Sequence, residues 1–420
     1  MARTKVAIAH SDADLGKPGE YSRKQLDRVK AMVKEIADGS MGGMQNIVGP
    51  GQTVLIKINT VIPSPPNSGF TTDPRLLEAL IELIAEQNPA RIQIGERSAL
   101  GGDTLQAMEV CGIKAVAERT GAELVPFDHV PFDTVTLPGV KVFREVPVPR
   151  PVREADVYIG MPKMKAHVHT ILTCALKLQF GNLPDYDWMN RCHRDDIHQK
   201  IVNLTRVANP KWFLVDSLYA CQGNGPFSAY PEDLIKDFNT IVGGHDPVAV
   251  DTVCEAVMGW DDPGSVPATR LAAAEGLGTN KLAEIEIAGR SIESVQRKFR
   301  RPDTTLQGIF PKVNVVVGAA CEPGCRALVR MALDSLYVDG TLERLKRPLT
   351  IFVGKQFAPL LTDVEGDVIV YGDCAKEMCN YYPGAAFWGS TEKYPHCSPV
   401  WSNLPDVGIV SYVHSLAERR

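Results

Sequence analysis

The chain has no run of roughly eighteen apolar residues, so no transmembrane helix is expected. It has no basic excess either. Lys and Arg total 45 against 50 Asp and Glu, a formal charge of -5, which gives no electrostatic footprint for a nucleic-acid backbone. Aromatic residues make up only 7%, and no basic-aromatic stripe is visible for stacking single-stranded bases. There is no repeat of fixed period and no low-complexity segment. The glycine loops lack both the dinucleotide and the Walker spacing, and no Cys-x-x-Cys-x-x-Cys ferredoxin run occurs. The start, Met1 to His10, has too short an apolar run for a signal peptide and reads as a first strand.

What is present is ordinary globular composition. There are 420 residues, 44% hydrophobic and 23% charged, too many for one core and suited to two packed domains. Ten cysteines, several in apolar surroundings such as Cys174, fit a reduced, cytoplasmic protein.

Strand-like and helical runs alternate. Val54–Asn59 follows the turn Gly49-Pro-Gly51 and reads as a strand, and 73–84 as a helix with Asp73 as N-cap and Pro74 at its first position. Strands are expected at 91–95, 123–127, 156–160 and 212–216, with a helix from Thr104 to about Thr120. This βαβ rhythm predicts an α/β domain with a mainly parallel sheet. The charge run Arg297–Pro302 reads as a solvated linker. A second set follows: strands at 313–318, 349–354 and 368–371, a helix at about 326–336, and a last strand-like run at 407–412. The expected units are 1–302, a smaller domain at 303–405, and a segment 406–420 that returns to the first domain as strand or helix.

In parallel α/β sheets ligands gather at the carboxyl ends of strands. The loops there are Asn59–Pro63, Gly95–Thr104, Met161–His169, Cys221–Pro226 and Gly243–Pro247. The densest cluster is Lys163, Lys165, His167, His169, Lys177, Cys192, His193 and His198, cationic groups on an acidic protein. That concentration points to a small anionic substrate or cofactor, and crowded lysines depress one another's pKa toward a catalytic range. The alternative is that Lys163 and Lys165 share one strand face and simply meet water. Lys177 stands in an apolar stretch, Ala175–Phe180, and a half-buried lysine needs a partner. His193, His198 and Cys192 are candidate ligands of a divalent metal, although a spacing of five suits no single helix face. The amides of Gly223 and Gly225 could cradle an anion.

Cysteines form a second constellation. Cys321 and Cys325 flank a loop between strand and helix, and Cys374, Cys379 and Cys397 lie downstream. Two pairs could hold zinc or an iron–sulfur cluster, but their spacings of three and four intervening residues are not the usual two, so Fe–S is the weaker reading. Small thiols filling tight packing is the plain alternative, and Cys325 near a helix N-terminus could be a reactive thiolate. Asp246 before Pro247 reads as a helix cap.

Taken in order, Pro162–His167, Ala175–Gly181, Asp216 with Gly223–Pro226, and Gly244–Asp251 resemble the DUF362 family over roughly residues 50–260. Many members carry a ferredoxin-like segment that this chain lacks. A more distant resemblance is to the lactate racemase family, two-domain α/β enzymes with a nickel-pincer nucleotide. It implies a lactate-racemase-like architecture with mainly parallel sheets. It casts Lys177 as covalent anchor, His193 as nickel ligand, His167 as proton-transfer residue and Arg330 as a cofactor contact. Where that family has a histidine in its second loop this chain has Glu96, which the resemblance makes the substitute base. The expectation is an enzyme acting on a small anionic, oxygenated substrate in an interdomain cleft, racemase-like or lyase-like. A cysteine-based redox protein and a non-catalytic anion-binding module are the alternatives. Self-association stays open.

Overall fold

The computed structural model describes residues 3–98, 103–226, 228–321, 324–357, 364–392, 395, 397 and 408–419. The larger unit is built on strands β1 (Thr4–His10), β2 (Thr53–Lys57), β3 (Arg91–Glu96), β4 (Glu123–Pro126), β5 (Phe132–Thr136), β6 (Glu145–Pro149), β7 (Val157–Gly160), β8 (Lys163–His167), β9 (Ile171–Thr173), β10 (Trp212–Cys221), β11 (Leu234–Ile235), β12 (Thr240–Gly244) and β13 (Ile285–Gly289). The main sheet runs β13-β1-β12-β10-β7-β2-β3-β4, with β8 and β11 on β10 and β9 on β8. Its pairings are parallel except where β12 lies antiparallel between β1 and β10, and where the short β9 and β11 attach. Strands β5 and β6 form a separate antiparallel ribbon.

A second sheet holds β14 (Val313–Val317), β15 (Leu349–Val353), β16 (Asp367–Tyr371) and β17 (Ala386–Trp388), all parallel and in that order. The protein is therefore α/β with mainly parallel sheets, as the alternating runs predict. Helices Arg23–Met41 and Pro74–Ala85 bury Val29, Val33, Ile36, Leu77 and Leu80 against one face of the large sheet. Helix Pro247–Val257 covers the other face through Val250, Val253 and Val257. Asp73 and Asp246 cap their helices, each accepting backbone N–H bonds from the first turn.

Three expectations are corrected. The helix expected from Thr104 to Thr120 is two helices, Thr104–Val110 and Ile113–Thr120, because Gly112 takes φ +79, a left-handed conformation open to glycine. The segment 297–302 is irregular with its four cations exposed, as a solvated run should be, but it is pinned and not free: Phe299 is buried, the Trp260 indole donates to its carbonyl, and Arg300 pairs with Asp233. The C-terminal segment, expected to return to the first domain as strand or helix, is the helix Ile409–Glu418. Its Ile409, Val413 and Leu416 recur at helical spacing and join the core of the smaller unit, so within the described residues it packs there and not on the larger sheet.

Candidate active site

The strand β8 sets the site. Its period of two turns Met164 and Ala166 into the core beside Phe213 and Val215, which sends Lys163, Lys165 and His167 to the opposite face. A tight turn through His169 to Ile171, which sits at φ +67, brings the chain back as β9. The next stretch, Lys177–Asn182, is a short 3-10 turn, and helix Tyr186–His193 follows.

These segments enclose a cleft with about 770 Å³ of empty space, part of it open to solvent. Its wall includes Lys165, His167, His169, Lys177 and His193. Residues after β2 and β3 complete one side, among them Thr60, Glu96 and Arg97. Leu328 and Met331, on the helix Gly324–Val338 of the smaller unit, close another, so the cleft lies between the two units.

The electrostatics favour neutral bases. Burial lowers the Lys177 pKa well below its ordinary value, and the nearby Lys165 adds to the effect. Among the described residues Lys177 has no hydrogen-bond or ion-pair partner, only the Phe180 ring 5.8 Å from Nζ. Lys165 is lowered to about 7, first by burial and then by Lys163 and Lys57, against an upward pull from Cys221 and Glu96. Its Nζ donates to the Phe70 carbonyl at 2.8 Å. Burial and the neighbouring cations hold His167 and His169 well below the usual imidazole range and His193 at about 3. Two hydrogen bonds then decide the tautomers. His167 Nδ1 accepts from the His169 amide at 3.0 Å, which leaves the proton on Nε2. His193 Nδ1 donates to the Met189 carbonyl at 2.9 Å, which leaves a lone pair on Nε2. Among the described residues, His169 Nε2 is buried with no hydrogen-bond partner, as are Nε and Nη1 of Arg97.

The chain thus places a donor imidazole, an acceptor imidazole, two amines of depressed basicity and a guanidinium with unsatisfied donors around one cavity. That arrangement can bind an anion and move a proton.

Of the residues singled out in the sequence, His167, Lys165, Lys177, His193 and Glu96 line the cleft together. The others fall elsewhere. Lys163 is buried against Asp216 at 3.0 Å, so its charge is spent on an ion pair rather than on catalysis or solvent. Glu96 reaches the cleft wall but has no free oxygen for a base. Oε1 accepts from Lys57 Nζ at 2.6 Å and the Arg97 amide at 2.8 Å, and Oε2 from the Thr60 amide at 2.9 Å. Gly181 makes room for this pair, since a Cβ there would collide with both charged groups. Cys192, His193 and His198 do not converge as metal ligands. The Cys192 thiol lies in an apolar core, where burial pushes it up to about 12, and His198 does not line the cleft. Among the described residues the one three-residue group with ligand spacing is Asp103, Asp128 and His129, all exposed.

The glycine loop is not an anion cradle. The Gly223 amide donates to the Arg300 carbonyl and the Gly225 amide to the Gly223 carbonyl, both at 2.9 Å. Arg330 is tied to Asp334 at 2.9 Å and to the Thr305 carbonyl at 2.6 Å and does not line the cleft. That network joins the units: Asp334 also accepts from Asn224 and Tyr230 of the larger one. Three contributors were not assigned roles from the sequence. They are Arg97, His169 and Lys57, the last detectable as a lysine within an apolar strand, the same signal that marked Lys177.

Residues 54–256 match the family model described as a domain of unknown function, DUF362. This segment, just under half of the chain, is similar to the DUF362 family. The match spans β2 to helix Pro247–Val257 and so contains every cleft residue except Leu328 and Met331. The chain is similar to the thylakoid-associated protein sll1697 of Synechocystis, 26% identical over 259 residues, covering 58% of this chain and 73% of that one. Among solved structures it is similar to the lactate racemase apoprotein of Thermoanaerobacterium thermosaccharolyticum. There the identity is 13% and the TM-score 0.38, over 84% of this chain and 70% of that one. A protein of Thermotoga maritima gives 11% and 0.36, over 88% and 92%. Among the described residues no helix is long and apolar enough to cross a membrane.

Proposed function

We propose that this protein is an enzyme that moves a proton at a carbon beside the anionic group of a small oxygenated substrate. The reaction class is racemase-like or lyase-like. The observation that carries this is the pair of neutral imidazoles that line one cleft, His167 presenting N–H and His193 a lone pair. One gives a proton and the other takes it, and neither must first be stripped of charge at neutral pH. Arg97, through Nε and Nη1, and Lys177, none of them with a hydrogen-bond partner among the described residues, bind the anion, and an incoming negative charge draws the Lys177 amine back toward its ammonium form. Lys165, lowered to about 7, exchanges protons with solvent in the working range. Leu328 and Met331 exclude water from the far side.

The resemblance to lactate racemases implies a nickel-pincer nucleotide, and the residues fit its attachment better than they fit a bare metal ion. Lys177 offers an amine of low basicity for a covalent link, His193 Nε2 a lone pair for a ligand bond, and His169 Nε2 is an orphaned buried nitrogen beside them. When bound, such a group supplies a hydride acceptor. The chain's own part is then to orient the substrate anion with Arg97 and to hydrogen-bond the substrate oxygen through His167 Nε2–H.

The test uses protein purified from its native host. Intact mass reads any adduct at Lys177. Deuterium uptake at carbon by enantiopure 2-hydroxycarboxylates in D₂O, followed by NMR, reads proton transfer, and inversion without deuterium uptake reads hydride transfer. Exchange that falls by about 10² or more in His167→Ala and His193→Ala is expected. Binding without exchange, with the histidine variants altering affinity alone, would leave an anion-binding module. An unmodified Lys177 together with full exchange in Lys177→Ala would remove the pincer cofactor.

A further inference from the structure

Five of the ten cysteines fall in the smaller unit, and none of them lines the cleft. Four of these come from three separate stretches of chain. Cys321 follows β14, Cys325 opens the helix Gly324–Val338, Cys374 lies in the turn after β16, and Cys397 comes from further on. Because β14, β15 and β16 pair in parallel, the carboxyl ends of β14 and β16 open on the same edge of the sheet. The contacts there are close. A Cβ placed on Gly372 would lie 2.8 Å from Cys325 Sγ, and one on Gly324 would lie 2.8 Å from Cys321 Cβ. The Cys325 thiol is hydrogen-bonded to the Cys397 sulfur, which also accepts the Asp373 amide. Cys321 and Cys374 act electrostatically on Cys325, and Arg194, itself paired with Asp195 at 3.1 Å, acts on Cys321 and Cys397.

Packing accounts for Cys325 in part, since it lies against the core of the smaller unit, but not for the set. The thiols that fill core space, Cys111, Cys174, Cys192 and Cys254, are buried, whereas Cys374 is exposed and Cys321, Cys325 and Cys397 are half-buried. All four are free thiols, and a gathering of accessible free thiols is exposed to oxidation unless something occupies it.

We propose that Cys321, Cys325, Cys374 and Cys397 hold a thiophilic metal centre at the edge of the second sheet. Each thiol releases its proton to solvent on binding, and the Asp373 amide and the Arg194 guanidinium offset the charge of the thiolates. A single zinc-type ion and an iron–sulfur cluster share this ligand chemistry. Among the described residues no three of these sulfurs lie within 4.8 Å of one another. A lone ion with metal–sulfur bonds of about 2.3 Å would have to draw them together, whereas a cluster of several atoms spans a wider set.

The experiment uses the full chain, reduced and kept anaerobic, in two arms: titration with Co²⁺ alone, and reconstitution with Fe²⁺ and sulfide. Sulfur-to-metal charge-transfer absorption at one centre per chain is expected in one arm, and which arm gives it separates ion from cluster. Cys374→Ser, at an exposed position that leaves the fold intact, lowers affinity at least tenfold, and Cys379→Ser, in the same unit but outside the set, leaves it unchanged. Alkylation read by mass spectrometry then shows these four thiols protected when the centre is loaded. No charge-transfer absorption in either arm overturns the proposal. So does equal loss in Cys374→Ser and Cys379→Ser, or retained affinity in a Cys325→Ser/Cys374→Ser variant.

Discussion

Lys165→Met tests the electrostatic reading of the cleft most directly. Lys165 is fully buried, and its ammonium is lowered from an ordinary 10.5 to about 7. The folded pKa is below the unfolded one, so between pH 7 and 10.5 the unfolded chain binds the proton and the native state does not. Stability therefore rises with pH across that window, and the full cost of the buried amine is felt at and below pH 7. With about 1.4 kcal/mol for each tenfold change in proton affinity, Lys165 costs the native state about 4 kcal/mol at pH 7 and about 2 kcal/mol at pH 9. Methionine removes that cost but leaves the Phe70 carbonyl without its donor, a loss of about 1–3 kcal/mol that does not vary with pH. In urea denaturation at pH 7, 8 and 9, Lys165→Met gains its largest advantage over the parent at pH 7. That advantage shrinks by about 2 kcal/mol by pH 9. A difference that stays constant with pH would mean that Lys165 keeps an ordinary pKa, and the case for a proton exchanger in the cleft would fail with it.

Two further outcomes follow from single contacts. Gly181→Ala drives a methyl group into the Lys57–Glu96 pair, and breaking a buried pair costs about 3–5 kcal/mol, read as a lowered thermal midpoint. A change below about 0.5 kcal/mol, the range of an ordinary surface substitution, would show that the pair can move aside. Asp334→Ala leaves Arg330 without its carboxylate and frees Asn224 and Tyr230, so the two units should melt in separate steps and the region near residue 303 should become open to protease. A single unchanged transition would refute Asp334 as the clamp between them.

Much of the site was legible because chemistry of this kind is conspicuous in sequence. A lysine inside an apolar run, such as Lys177, needs a reason, and His167 and His193 stood out as titratable groups downstream of a strand end. Partnership was not legible. Lys163 and Lys165 are two residues apart on one strand face, yet Lys163 meets Asp216 and Lys165 meets the cleft. Glu96 looked like a base, and only the fold brings Lys57 and two backbone amides onto its oxygens. Cys192 and His193 are neighbours in the chain, but a helix turns them to different sides, one into a core and one into the cavity.

Residue order alone determined the α/β architecture, because hydrophobic period and turn residues are local properties that each segment carries with it. It also marked the strand ends where charge collects. Which of those charges would be neutralised, which imidazole would hold its proton on which nitrogen, and which thiols would meet at the second sheet were decided by the tertiary structure. The charges and thiols depend on burial and on partners tens to hundreds of residues away, and the tautomers on groups two and four residues off that only the folded backbone presents to the rings.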